Sequence, residues 1–123
     1  MDLITLEYKD YFDNNIEKKI QFSKNLIDST YNIKSLFALK VDGESMQPLI
    51  SHKALIVADL SQKYIENDSI YLLYKDNKMW VKKARIVGNG ISFISINKDF
   101  SHLVYKKEDV YIVAKVLFTF TNL

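Results

Sequence analysis

Short apolar runs separated by turn-forming residues recur from residue 35 to the end of this chain. Runs of this length, rich in β-branched and aromatic residues and closely spaced, indicate a mainly β sandwich or barrel. Asp76-Asn77 and Val87-Gly88-Asn89-Gly90 each predict a tight turn between two strands. The predicted strands are residues 36–41, 54–59, 70–75, 78–86, 91–96 and 110–120.

The first part of the chain follows a different pattern. Residues 1–19 mix apolar and charged side chains, and Asp13-Asn14-Asn15 is typical of a turn, which predicts an extended arm with a loop. Ser23 predicts the N-cap of a short helix over residues 24–29, with Leu26 and Ile27 facing inward. Residues 20–123 are interpreted as one domain, a natural size for a single hydrophobic core.

Composition excludes several classes of function. Seventeen basic against fifteen acidic residues give a net charge of +2, too small for a nucleic-acid-binding surface. The chain has no cysteine, which excludes disulfides, thiolate nucleophiles and cysteine-based metal sites. No apolar run approaches the roughly 18 residues of a membrane helix. We therefore expect a soluble, cytoplasmic protein.

One turn carries the strongest candidate for chemistry. It follows the strand predicted at 36–41 and contains Gly43, Ser45 and the single proline of the chain, Pro48. Glycine reaches backbone angles that are closed to other residues, whereas proline fixes its own φ. Ser45 therefore lies on a constrained backbone, but a serine hydroxyl becomes a nucleophile only beside a base.

Strand parity selects a candidate base. His52 and His102 lie in predicted loops outside any recognisable triad motif, and we expect both to be exposed. Alternate residues of a strand share a face, so Lys82 shares its face with Trp80, whereas Lys83 shares its face with Arg85. Burial on the apolar face would lower the pKa of Lys82 and allow its neutral amine to act as a base. Parity alone leaves open the alternative that Lys82 extends its amine to solvent.

These segments together resemble a known family. Residues 37–48 (FALKVDGESMQP) are similar to the Gly-x-Ser-Met-x-Pro nucleophile segment of LexA, the lambda-type phage repressors and UmuD. Residues 80–83 (WVKK), 88–90 (GNG) and 97–100 (NKDF) resemble that family's Val-Lys-Arg strand, Gly-Asn turn and Asn-x-x-Phe segment. The resemblance runs from about residue 20 to residue 118.

The resemblance implies a fold and a set of roles. The fold would be a compact, barrel-like arrangement of antiparallel strands, α+β only through the short N-terminal helix, as in the LexA C-terminal domain. Ser45 would be the nucleophile and Lys82 the general base, with the backbone N–H groups of Glu44 and Ser45 forming an oxyanion hole. No cofactor or metal is implied. The residues that support the motif are Gly43, Met46 and Pro48.

The sequence also departs from the family. Members that cleave themselves cut an Ala-Gly or Cys-Gly bond, which would fall here near residues 8–14. The three glycines follow Asp42, Val87 and Asn89, so no such bond exists in the chain. Two turns also differ: Ser51-His52-Lys53 replaces a common Asp-Gly turn, and Asn67-Asp68 replaces Gly-Asp. These two changes indicate altered loops rather than lost catalysis.

Two functions follow from the resemblance. The first is a Ser-Lys peptidase domain of a transcriptional repressor controlled by the SOS response to DNA damage. The alternative is a non-cleaving module for dimerisation and regulation in a prophage-type repressor. A UmuD-like protein, a signal-peptidase relative (disfavoured without a membrane anchor) and a purely structural turn are weaker readings.

The resemblance also implies partners and a setting. The protein would form a homodimer, interact with a RecA filament, and bind DNA only through a separate N-terminal domain. It would be bacterial or prophage-encoded. The exposed face of the last strand, around Tyr111, Val113, Lys115 and Leu117, is a candidate interface, although an apolar strand of this kind more often belongs to a core.

Overall fold

Short antiparallel strands joined by tight turns make up most of the chain. The computed structural model describes residues 2–27 and 31–121. Helical structure there is limited to 3₁₀ turns at Lys24–Leu26, Ile33–Ser35, Lys98–Phe100 and Lys107–Asp109. The predicted mainly β, antiparallel fold is confirmed. In chain order the strands are β1 Leu3–Asp10, β2 Ile16–Ser23, β3 Leu36–Lys40, β4 Leu55–Asp59, β5 Ile70–Lys75, β6 Lys78–Val87, β7 Gly90–Ile94, β8 Tyr105–Lys106 and β9 Tyr111–Phe120.

Seven of these strands form one sheet, in the order β3-β4-β9-β5-β6-β7-β8. Over the described residues the sheet ends at β3 and β8, so it is open rather than closed into a barrel. The last strand, β9, lies between β4 and β5 and pairs with both. Tyr111 at its start is exposed, but Val113 packs against a buried cluster. The candidate interface on β9 is therefore in part a core face.

Two tight hairpins give the sheet its local register. Asp76 and Asn77 have φ angles of 53° and 63°, the pair of positive angles that a two-residue type I′ turn requires. The next hairpin turns at Gly88, with φ of 59°, and pairs Val87 with Gly90. The loops that depart from the family also turn through positive φ, at Lys53 and Asp68.

The N-terminal residues form a hairpin rather than the predicted extended arm. Strands β1 and β2 pair along their full lengths, and the turn between them contains Asn14 and Asn15 at positive φ, as the Asp-Asn-Asn signal indicated. The predicted boundary between the arm (residues 1–19) and the domain (residues 20–123) falls inside strand β2. That division stays a prediction.

The predicted N-terminal helix is reduced to one 3₁₀ turn. Ser23 caps it as expected, since its side chain accepts a hydrogen bond from the Asn25 N–H at 3.1 Å. The turn ends at Leu26, and residues 28 and 29 of the predicted helix lie outside the described residues. Leu26 is exposed, so the expectation that it faces inward is wrong. Ile27 is half-buried and packs against the core.

Alternation along β6 delivers one lysine to the interior. Lys82 and Ala84 are both fully buried, whereas Lys83 is half-exposed and lies 3.5 Å from Asp68. Tyr71, opposite Lys82 on β5, is also fully buried; its hydroxyl accepts from the Glu66 N–H and donates to a backbone carbonyl. The strand parity predicted from the sequence is confirmed, and the core surrounds the lysine.

Candidate active site

The turn after β3 is held at its base and anchored at its far end. The Val41 N–H donates to the Ala54 carbonyl at 2.8 Å, which closes the base. Gly43 then adopts a φ of 123°, a conformation that side chains disfavour. Met46 and Ile50 are each 2% exposed and lie in the core. The backbone between these anchors presents Ser45 at a fixed position.

Two other residues of this turn have distinct positions. Pro48 is exposed, and the peptide bond before it is cis. His52 is half-buried rather than exposed: its Nδ1 accepts from the Gly43 N–H at 2.9 Å, and its ring meets Phe12 edge to face. His102 is exposed in a loop, as expected. His52 thus supports the backbone of the turn.

The amine of Lys82 lies beside the Ser45 hydroxyl. The Nζ to Oγ distance is 2.8 Å, and Lys82 is 0% exposed. Burial lowers the pKa of Lys82 from 10.5 to about 8, because the ammonium loses its hydration. The rings of Trp80 and Tyr105 lie 5.5 and 5.9 Å from Nζ and favour the ammonium, so they oppose this effect. The structure brings together the two residues selected from the sequence.

Sequence reasoning missed a second hydroxyl at this amine. Lys82 Nζ is also 2.8 Å from Ser95 Oγ. Strand β6 pairs with β7 so that Lys83 faces Ile94, and the same register continued by one residue places Ser95 opposite Lys82. A turn over residues 87–90 was predicted, and the register that such a turn fixes was the signal that could have identified Ser95.

The backbone around Ser45 is oriented by Asn97. Its side-chain amide donates to the Glu44 carbonyl at 2.9 Å, and its backbone N–H donates to the Ser45 carbonyl at 2.9 Å. Across residues 2–27 and 31–121, the N–H groups of Glu44 and Ser45 donate to no protein acceptor. The two amides assigned to the oxyanion hole are therefore not engaged by another group of the described chain.

Ser45 lines a groove of about 420 Å³. Its lining includes the turn that carries Ser45 and, from the start of β6, Met79, Trp80 and Val81. Lys82 is fully buried and is not among the residues that line the groove, whereas its partner Ser45 is. The shape and the apolar lining suit an extended peptide.

The tip of the β1–β2 hairpin lies beside this groove. Tyr11 lines it and donates its hydroxyl hydrogen to the Lys40 carbonyl, while Phe12 packs on His52. Asp10, 4% exposed, lies 2.9 Å from Lys18, whose hydrogen bond lowers the pKa of the Asp10 carboxyl. The region matching the family's cleavage segment is therefore folded against the domain.

Two other kinds of site are absent from the described residues. No helix in the described part of the chain is long and apolar enough to cross a membrane. Within the same residues, no group of three or more histidine, cysteine, aspartate or glutamate side chains could hold a metal ion.

Comparison with known proteins agrees with the geometry. A family model described as Peptidase S24-like matches residues 1–117. The chain is also similar to an uncharacterized HTH-type transcriptional regulator of Haemophilus influenzae, at 41% identity over 58 residues. That match covers 47% of this chain and 24% of the regulator, so the chain spans only part of its relative. By the family match, this chain belongs to the Peptidase S24-like family, the family of the C-terminal domains of LexA, UmuD and phage repressors.

Proposed function

We propose that this chain is a serine peptidase domain of the LexA type, in which Ser45 is the nucleophile and Lys82 the general base. The observation that carries the proposal is the 2.8 Å contact between a fully buried lysine amine and the hydroxyl of a groove-lining serine. A buried lysine without a carboxylate beside it is costly to a fold, and a catalytic role explains why the cost is borne.

The reaction would proceed in two stages. The neutral amine of Lys82 takes the Ser45 proton while Oγ attacks the carbonyl carbon of a bound peptide. The carbonyl oxygen becomes an oxyanion, which the N–H groups of Glu44 and Ser45 stabilise; one such donor typically contributes about 3–4 kcal/mol. The Lys82 ammonium then protonates the leaving amine, and an ester on Ser45 remains. Water, deprotonated by Lys82, hydrolyses that ester.

The lowered pKa makes this base available. With a pKa of about 8, about one molecule in ten holds a neutral amine at pH 7, against about one in three thousand for an ordinary lysine. The rate should therefore rise with pH and level off above pH 8. Lysine bases depend on burial for this reason, since an exposed amine is protonated at neutral pH.

The bond that the family usually cuts is missing from this sequence. The chain contains no Ala-Gly or Cys-Gly bond. The substrate is then another bond in this chain, in a longer parent or in a second protein. The missing bond also favours the alternative function, in which the same fold serves as a non-cleaving regulatory and dimerisation module.

The wider role is proposed from the family. We propose a bacterial or prophage-encoded transcriptional regulator that works in the cytoplasm, since the Haemophilus influenzae relative is described as an HTH-type regulator. In this role the domain would form a homodimer, bind DNA through a separate domain, and respond to DNA damage through a RecA filament. Each of these partners is a proposal.

Incubation at alkaline pH tests the peptidase directly. The chain is incubated at pH 7 and pH 10, alone and with a mixture of peptides of varied sequence, and the products are analysed by mass spectrometry. We expect cleavage products that form faster at pH 10 and are absent in Ser45→Ala and Lys82→Ala. The matched controls are Ser51→Ala and Lys83→Ala, which should leave the products unchanged.

The same experiment decides between the two functions. Products that persist in Ser45→Ala would exclude Ser45 as the nucleophile. No product from any peptide over several days, together with a dimer in sedimentation, would favour the non-cleaving module.

A further inference from the structure

The amine of Lys82 contacts two hydroxyl groups rather than one. Ser45 Oγ and Ser95 Oγ each lie 2.8 Å from Nζ. Among the described residues that line the groove, Ser45 is present and Ser95 is not. We propose that Ser95 is a positioning residue that holds the Lys82 amine so that its lone pair points at the Ser45 hydroxyl. This inference rests on the proposed peptidase function and deepens it.

Ser95 is held in place from both sides. The residue before it, Ile94, pairs with Lys83 in the β6–β7 ladder. Two residues further on, Asn97 bonds to the carbonyls of Glu44 and Ser45. The connector after β7 therefore contacts the base through Ser95 and the nucleophile turn through Asn97. A small shift of either partner would move the other, so the connector couples the two halves of the site.

The chemistry requires an acceptor at this point. A neutral lysine amine has two N–H groups and one lone pair, and it rotates freely unless an N–H is engaged. A base needs the lone pair directed at the proton that it removes. When one N–H donates to Ser95 Oγ, the rotation is restricted and the lone pair can face Ser45. Ser95 acts through Lys82 and has no contact with the substrate.

The same contact predicts a titration effect. A hydroxyl oxygen accepts a stronger hydrogen bond from an ammonium than from a neutral amine. Loss of the Ser95 hydroxyl therefore disfavours the ammonium, and the acid dissociation constant of Lys82 should rise by about tenfold. The amine also loses its orientation, so the limiting rate of Ser45 should fall even though more of the amine is neutral.

Nuclear magnetic resonance provides a test that does not depend on activity. The protein is labelled with ¹³C at the ε carbon of lysine, and the Lys82 signal is identified by its absence in Lys82→Met. We expect the Lys82 titration to move to lower pH in Ser95→Ala and to stay at the wild-type position in Ser95→Thr. Ser92→Ala, on the preceding strand β7, is the control and should leave the titration unchanged.

A second measurement follows the reactivity of Ser45. A fluorophosphonate forms an ester on an activated serine, and peptide mapping identifies the residue. We expect the adduct on Ser45, with a limiting rate at least about tenfold lower in Ser95→Ala and restored in Ser95→Thr. Valine and threonine have nearly the same shape, but threonine carries a hydroxyl where valine carries a methyl group. If Ser95→Ala does not fold, the comparison of Ser95→Val with Ser95→Thr shows whether the hydroxyl is required.

The two measurements separate the two proposals. An unreactive wild-type Ser45 would overturn the peptidase, while the Lys82 titration would still decide whether Ser95 holds the amine. An adduct on Ser95, or a Lys82 titration and a limiting rate that are both unchanged in Ser95→Ala, would overturn the role of Ser95. A loss of thermal stability with no change in titration would likewise reduce Ser95 to a structural residue.

Discussion

Replacement of Lys82 by methionine should stabilise the fold near neutral pH. Burial lowers the pKa of Lys82 from 10.5 to about 8, so at pH 7 the folded chain carries a buried ammonium at a cost of about 3 kcal/mol. Methionine fills a similar volume without charge. It gives up the hydrogen bonds to Ser45 and Ser95, each worth about 1 kcal/mol. The net gain at pH 7 is about 1 kcal/mol.

The pH dependence of the unfolding free energy tests this explanation more specifically. Between pH 8 and 10.5 the unfolded chain binds more protons at Lys82 than the folded chain does. The unfolding free energy of the wild type therefore rises as the pH increases through this window and falls as the pH decreases towards 8. The methionine variant lacks this titration. The unfolding free energy of the variant relative to the wild type should therefore fall by about 2–3 kcal/mol from pH 7 to pH 10, so that the variant becomes the less stable protein at pH 10.

Urea unfolding at both pH values measures this difference. Lys83→Met is the matched control, because Lys83 is half-exposed and its ion pair with Asp68 is worth no more than about 1 kcal/mol. An advantage of Lys82→Met that is the same at both pH values would refute the claim that the Lys82 ammonium is destabilised by burial. A variant less stable than the wild type at pH 7 would refute it as well.

Three further substitutions test the residues that support the site. Gly43→Ala should cost about 1–3 kcal/mol in urea unfolding and slow the reaction of Ser45, because φ is 123° there. Apart from its two chain neighbours, no residue has a heavy atom within 4 Å of an added Cβ, so backbone strain is the cause. Asn97→Ala should slow Ser45 by about 100-fold in the fluorophosphonate assay through misplacement of the turn. Tyr71→Phe should cost about 1–3 kcal/mol in urea unfolding, because the part-buried hydrogen bonds of its hydroxyl with the Glu66 N–H and the Tyr64 carbonyl are lost.

Matched variants separate these causes from general damage. Gly90→Ala has no positive φ and should be milder than Gly43→Ala. Asn32→Ala removes the same kind of 3₁₀ cap as Asn97→Ala, away from the site, and should leave the rate unchanged. Tyr74→Phe, at an exposed tyrosine, should change stability by less than about 0.5 kcal/mol. Equal effects within any pair would contradict the corresponding explanation.

Much of the site could be predicted from local patterns in the sequence. Alternation along a strand is a property of a few adjacent residues, so Lys82 could be assigned to the buried face before any tertiary contact was known. The Asp76-Asn77 turn was predictable for the same reason. The register fixed by the turn at Gly88 would also have placed Ser95 opposite Lys82, so that residue was within reach of the sequence.

Other features depend on contacts between distant parts of the chain. Nothing near Tyr111 indicates that β9 inserts between β4 and β5, because that pairing is decided by which buried faces fit together. The hydrogen bond from Gly43 to His52, and the packing of Phe12 on His52, likewise require the folded hairpin. For this reason His52 was expected to be an exposed loop residue.

The reactivity of Ser45 as a function of pH is the most direct test of the proposed pair. The wild type, Lys82→Met and Lys83→Met are treated with a fluorophosphonate from pH 6 to pH 10, and the adduct is mapped by mass spectrometry. We expect one adduct on Ser45 whose rate of formation rises with a midpoint near pH 8, is unchanged in Lys83→Met and is abolished in Lys82→Met. A Lys82→Met protein that reacts at the wild-type rate would contradict the assignment of Lys82 as the base.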